Sequence, residues 1–305
     1  MSSATRAPGY TDEMAIFNIA NLSVCGTLGV IINSLVLWVL FRKVRKGGAH
    51  EDIKICAFVA VTDLLVSIGL LFRAIFSQVP YNILKYHPNW CKFDLLTSGV
   101  LLLVSGYSLG VMSWERFILI CFNKKLSIYV WFGLIFALWT PQFVLICFSA
   151  SENLQFFTRI ETSCSLLPVR VAYYSFAYAL SMFFISFFSV VFCYFCIMIT
   201  KFRQCLNQLN LNVPKDRVYS EFRSTLVKSI INILLFIGVY AGKMYTGLYE
   251  ISTEKKRTLL MDFVSQNLLQ YSAIVNSLIL LYMNVEVRKS FFELLREIKS
   301  KVLNK

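Results

Sequence analysis

Histidine is nearly absent: the 305-residue chain has two, His50 and His87. A catalytic metal of the zinc type needs clustered ligands of this kind, and these two fall in separate polar segments. No nucleophile-elbow or phosphate-loop motif is present, so enzymatic activity is not expected. Proline is also scarce, with six in the chain, and few lie inside the long apolar runs. No pair of Gly- or Pro-broken runs repeats in two halves, as a transporter built from repeats would show. There is no zinc knuckle and no basic-aromatic pattern for nucleic acid, so no nucleic-acid partner is expected. Low-complexity tracts and linkers that would divide the chain into soluble domains are missing. The first 14 residues hold no charged segment leading into an apolar core. A cleavable signal is therefore not expected, and the first apolar run is expected to direct insertion.

What the chain has in excess is apolar surface. It is 57% hydrophobic and 15% charged, with 27 Phe, a balance foreign to soluble domains of this size. Seven runs are long enough to cross a bilayer, at roughly 15–41, 54–77, 91–121, 127–149, 171–200, 224–250 and 259–283. The expected fold is all-α: a seven-transmembrane helix bundle over 15–283, preceded by an extracellular N-terminus (1–14). A short amphipathic eighth helix and cytoplasmic tail (284–305) follow. In the tail Phe291, Leu294, Leu295, Ile298 and Val302 recur at helical spacing with Arg288, Lys289, Arg296 and Lys299 between them.

Most of the 30 Lys and Arg residues lie in the segments between spans one and two, three and four, and five and six, and after span seven. That asymmetry predicts an N-terminus outside and a C-terminus inside. The net charge of +13 is then explained by topology and by anionic membrane lipids. The segment 201–223 between spans five and six reads as a short basic loop.

Of nine cysteines, most lie inside spans and read as small buried apolar side chains. Cys205 is juxtamembrane and a candidate for acylation. Only Cys91 and Cys164 fall in or beside the outer loops, which predicts a disulfide between them. The sequon Asn21-Leu22-Ser23 lies inside span one and reads as buried. Cys91 and Arg116 are separated by about 25 residues, roughly 37 Å of helix, so they fall near opposite interfaces of span three.

These features resemble a rhodopsin-like, class A G-protein-coupled receptor over essentially the whole chain. The resemblance rests on Asn33 in span one, Val59-Ala60-Val61-Thr62-Asp63 in span two, and Cys91 with Glu115-Arg116-Phe117 in span three. Trp131 or Trp139 in span four, Tyr194 in span five, and Asn276 with Asn284-Val285-Glu286-Val287 after span seven extend it. It is a divergent member, with a chemosensory type among the options. Ser186 and Ser277 stand where the family has proline in spans five and seven. Val239-Tyr240-Ala241-Gly242 stands for the span-six Cys-Trp-x-Pro box, and Leu280 for the span-seven tyrosine. Gly242 offers a bend at which span six could yield.

The resemblance implies an extracellular ligand bound within the bundle, a heterotrimeric G protein as partner, and a plasma-membrane location. A polytopic transporter or channel is the alternative. The resemblance makes Glu115, Arg116 and Tyr194 the coupling switch, with Arg116 paired to Glu115 at rest. It places Ser105, Ser272, Asn276 and Asn33 around Asp63. An intramembrane carboxylate is costly and usually functional; oxygen ligands of this kind suit a sodium ion or a water network. The alternative is a protonated Asp63 hydrogen-bonded to Asn33 and Asn276. No other metal or cofactor is expected. Retinal through a span-seven Schiff base is excluded, because Gln270 stands where opsins carry lysine and no Lys lies between Arg257 and Arg288. Ser98 stands where amine receptors have Asp, which argues against a biogenic amine. The ligand-pocket candidates are Arg73, Asp94, Ser98, Tyr240, Lys243 and Gln270. Arg73 and Lys243 either receive an anionic ligand group or are neutralised internally, Arg73 by Asp94 and Lys243 by snorkelling or by Glu250.

Overall fold

The computed structural model describes residues 7–46, 51–79, 81–211, 213–253, 255 and 257–303. Residues 1–6 of the expected N-terminal segment, His50, and the topology-determining Lys256 and Lys305 lie outside the described residues, as do the side chains of Ile298 and Val302. The structure is 85% helical. Its helices are α1 (Asp12–Arg45), α2 (Glu51–Phe76), α3 (Ile83–Tyr86), α4 (Pro88–Asp94), α5 (Val100–Phe122), α6 (Ile128–Ser151), α7 (Val171–Asn210), α8 (Lys215–Thr253), α9 (Leu259–Gln270), α10 (Ser272–Met283) and α11 (Val285–Leu303). Among the described residues, six helices are long and apolar enough to cross a membrane: α1, α2, the run Pro88–Phe122, α6, α7 and α8. A seventh is added if Leu259–Met283 and Val285–Lys301, bent by 109° to each other, count as one span.

Local signals account for the helix ends. Thr11 caps α1 by accepting a hydrogen bond from the Met14 amide at 3.2 Å, with Asp12 and Glu13 in the first turn and Arg42, Lys43 and Arg45 in the last. α5 stops on Asn123, whose φ of 51° is left-handed. Asn284 ends α10 in extended conformation and caps α11 by accepting from the Val287 amide at 3.1 Å, and the chain turns sharply there.

Burial ranks the helices. The most apolar window of Pro88–Phe122 is 72% buried, against 22% for α6. The former is therefore the central strut and the latter a peripheral one. Phe136, Phe148, Phe188 and Phe195 are all exposed, an apolar exterior that suits lipid rather than water. The main core runs through α1, α2, α5, α7, α8 and α10, and includes Trp131, while Trp139 packs in a second cluster with Val104 and Ile146. Val287, Phe291 and Leu294 on α11 join the main core with Leu295 against it. That apolar face is thus largely covered by protein, and Lys43–Glu286 at 3.0 Å ties α11 to α1.

Four features depart from the sequence reading. A short antiparallel hairpin, β1 (Gln155–Phe157) with β2 (Cys164–Leu166), interrupts the otherwise helical chain. The segment 201–223 is not a loop: α7 continues to Asn210 and α8 begins at Lys215. Its residues are mostly helix-competent, and the one proline, Pro214, sits just before α8, where a missing amide costs little. Within the third span, Leu95–Gly99 forms a π-helical turn, which inserts an extra residue into the helical count. The run 259–283 is divided at Tyr271 into α9 and α10.

The helical extensions of α7 and α8 pack on each other. Phe202 and Phe222 are 5.8 Å apart, and Cys205 and Val218 are 4% and 2% exposed. Cys205 is therefore inaccessible to an acyl group in this arrangement. Substituting Val218→Asp should separate the two extensions and raise maleimide labelling of Cys205 by about tenfold, because labelling then reports local opening. Peptide mass spectrometry would show this; equal labelling of both proteins would reject the packing.

Candidate functional site

The disulfide Cys91–Cys164 joins the start of the third span to β2, with Cα atoms 5.5 Å apart, as expected from the cysteine distribution. Next to it lies Asp94, fully buried. Its Oδ1 accepts from Arg73 Nε at 2.7 Å, and its Oδ2 accepts from Arg73 Nη2 at 3.0 Å and from the Cys164 amide at 3.0 Å. Arg73 is 3% exposed. The internal neutralisation of Arg73 by Asp94 is therefore what the structure contains, and the carboxylate is fully committed. Arg73 Nη1 is buried without a partner.

The hairpin is held from several sides. Asn18 of α1 donates to Thr162 Oγ1 at 2.8 Å, Asn82 donates to the Glu161 carbonyl at 3.0 Å, and Tyr10, Ala15 and Ile160 form a small apolar cluster. So fixed, it roofs a cavity of about 580 Å³ between α5, α6, α7, α8 and α9. That volume lies in the ~300–1,000 Å³ range of small-molecule sites. Arg73 and Lys243 line it, with Gln142, Phe183, Glu250 and Asp262. Glu250 does not meet Lys243: Arg257 Nε reaches Glu250 Oε1 at 3.4 Å and Asp262 Oδ1 at 2.8 Å. Both acids thus lie near the same nitrogen of one guanidinium.

Three other pocket candidates lie elsewhere. Ser98 is buried against Gly69 of α2, where a Cβ on the glycine would come to 2.4 Å from Ser98 Oγ. Its place in the pocket was counted back from Arg116 along a regular α-helix, and the π turn breaks that count. Gln270 belongs to an amide network with α1. It accepts from Asn21 Nδ2 at 2.8 Å and donates to Asn18 Oδ1 at 3.3 Å, while Asn21 also donates to Asn267 Oδ1 at 2.8 Å. Asn21 is thus engaged inside the bundle. Tyr240 lies deeper, its ring 5.8 Å from Phe183 and 4.6 Å from Phe236. Asn18, Gln142 and Phe183 were not singled out in the sequence; lone amides and aromatics in apolar runs carry no spacing signal.

Below the cavity, Asp63 Oδ1 accepts from Ser105 Oγ at 2.6 Å and from Asn276 Nδ2 at 3.2 Å, and Asn276 also donates to Ser105 at 2.8 Å. The structure thus brings Asp63, Ser105 and Asn276 together. Asp63 Oδ2, Asn276 Oδ1, Ser272 Oγ and Tyr240 Oη are buried without hydrogen-bond partners. Two acceptor oxygens and two hydroxyls left unmatched around one carboxylate fit ordered water or a sodium ion. Asn33 is not part of this group. Its amide donates to the Gly29 and Ala273 carbonyls at 2.8 and 2.7 Å, and it accepts from Ser277. It joins α1 to α10 instead. Ser277, in the proline position, supplies the hydroxyl that completes that joint.

At the far end Glu115 and Arg116 are 5% and 8% exposed. Arg116 Nη1 donates to Tyr194 Oη at 2.9 Å, a contact that runs across to α7. Gly242 lies inside unbroken α8, and a Cβ there would meet Ser265 Cα at 3.1 Å; its small size lets α9 approach. No protein-family model matches this chain, and no curated protein matches it.

Removing one partner of a buried ion pair strands the other charge. Asp94→Asn should lower stability by about 3–5 kcal/mol, seen as a reduced Tm of the purified protein. An Arg73→Met, Asp94→Leu double variant should melt well above the single one. Exchanging the two charges should not rescue, because an arginine at 94 would face the Cys164 amide. A rescued exchange would contradict the geometry.

Proposed function

We propose that this chain is a receptor of the rhodopsin-like G-protein-coupled type: a plasma-membrane protein with its N-terminus outside, which binds an extracellular ligand under the β1–β2 hairpin and activates a heterotrimeric G protein. In this reading α9 and α10 together form the seventh span and α11 the eighth helix, lying along the cytoplasmic face. The observation that carries it is the pairing of a roofed cavity at the disulfide end with a buried Arg116–Tyr194 contact at the other end of the same strut. A receptor is a two-state element biased by a ligand at one end and a partner at the other. The Asp63 group lies between, where a change in the relation of α2, α5 and α10 would alter its hydrogen bonds.

The aromatic rings connect the levels. Phe183 lines the cavity and contacts Tyr240, which packs on Phe236, which in turn contacts Phe187 at 5.9 Å. In place of proline levers the chain offers a movable aromatic stack on α7 and α8. In this mechanism ligand contact with Phe183 shifts the stack, α8 moves against α7, and the Arg116–Tyr194 contact is remade as the G protein enters.

Substituting Arg116→Ala should abolish stimulated GTP exchange on purified G protein while surface expression stays near wild type. Retained exchange, or ligand-dependent ion flux in liposomes without G protein, would reject the reading in favour of a channel or transporter. Replacing sodium chloride by choline chloride should lower the Tm of the wild type but not of Asp63→Asn, because an ion bound only by the folded state stabilises it. Equal melting of the wild type in both salts would leave water as the occupant.

A further inference from the structure

We propose that the cavity beneath the hairpin takes an organic anion, a carboxylate on an apolar body that also carries a hydrogen-bond donor. This rests on reading the cavity as a ligand site, and it goes further by naming the ligand's charge and shape.

The acids of the wall are already used. Asp94, just behind it, is bound by Arg73 and the Cys164 amide, and Glu250 and Asp262 are both engaged by Arg257. Among the described residues, each lining carboxylate already has an internal cation within 3.4 Å. The cations are not all used. Arg73 spends Nε and Nη2 on Asp94, but Nη1 is buried with no partner. Lys243 lines the same space and forms none of the ion pairs found among the described residues. In a medium of low dielectric an unmatched N–H and an ammonium without an ion pair are costly, and one anion in the shared cavity would supply both with a partner.

Guanidinium and ammonium donors together suit a carboxylate, which can accept from each with a separate oxygen. A second unmatched group points to the rest of the molecule. Gln142 is 2% exposed. Its Nε2 donates to Ser175 at 2.9 Å, but its Oε1 is buried without a donor. A hydroxyl or amide N–H on the ligand would satisfy it. Between these groups the wall is apolar, with Leu102, Ile146, Phe156, Phe183 and Leu269, which favours an aliphatic or aryl body.

The test uses the purified full chain in neutral-lipid nanodiscs and three probes sharing one body with a phenolic donor: 4-(4-hydroxyphenyl)butyrate, its amide and the matching amine. Only the carboxylate should raise the Tm. Lys243→Gln should not lower the unliganded Tm, since it removes an unpaired charge, and should weaken the hydroxyphenylbutyrate response by about tenfold, the equivalent of one lost charge contact of ~1.4 kcal/mol. Lys243→Arg should retain most of it. The proposal is overturned if the amine or amide stabilises as well as the carboxylate, if Lys243→Gln responds like wild type, or if none of the three raises the Tm. No G protein enters this measurement. A carboxylate that binds here without ever promoting GTP exchange would keep the cavity assignment and count against the receptor reading alone.

Discussion

The carboxylate of Asp94 organises the outer end of the molecule. A charge placed in a low-dielectric interior is stable only if it is paired and its remaining lone pairs are filled. Asp94 meets that demand with three donors from two directions, two from Arg73 on α2 and one from the Cys164 backbone on β2. The covalent link Cys91–Cys164 and this ionic one act one helical turn apart, so the hairpin is fixed in position and in orientation. They add to the contacts that Asn18, Asn82 and the Tyr10–Ile160 cluster make with the same hairpin.

The same commitment shapes the chemistry of the cavity. Because Arg73 is turned toward Asp94, only one of its nitrogens remains for anything else. Arg257 reaches both Glu250 and Asp262, and Lys243 forms none of the ion pairs found among the described residues. The electrostatic character of the site is therefore decided by which pairs close elsewhere, and not by the number of charged residues that line it. The Asp63 group follows the same rule deeper in: Ser105 and Asn276 satisfy one carboxylate oxygen, and the other faces a set of oxygens that still want a positive partner.

Much of the helical plan was legible in the sequence because crossing a bilayer demands long apolar runs, and such runs need no alignment to be seen. The disulfide was legible because only two cysteines lay where an oxidising exterior could reach them. Asp63 with Ser105 and Asn276 was legible because a carboxylate in an apolar run is conspicuous and the helical count through α5 from Arg116 to Ser105 is regular. The same count failed at Ser98, which lies inside the five-residue π turn Leu95–Gly99, a turn that no local signal announces. Asn33 was grouped with Asp63, yet the nearer carbonyls of Gly29 and Ala273 outcompeted the carboxylate. The 201–223 segment was taken for a loop on its charge, although its residues favour helix and two such helices can pack on each other through Phe202, Cys205, Val218 and Phe222.

The sequence by itself determined that the chain is a helical, membrane-compatible protein, where its long helices run, and which charged residues are buried among them. Those properties are set by one-dimensional patterns of hydrophobicity and by the cost of charge in an apolar medium. Only the tertiary structure decided which charge pairs with which, because several partners for Arg73, Lys243, Asn33 and Arg116 lay within plausible reach, and the choice depends on ångström-scale distances across different helices. Asp94 took Arg73, Arg257 took the two acids, and Tyr194 took Arg116. The sequence offered Arg73 and Lys243 as cations for an anionic group or for internal pairing; the tertiary structure decided that one guanidinium nitrogen and the lysine are what remain above an apolar wall, because pairing depends on distances between helices.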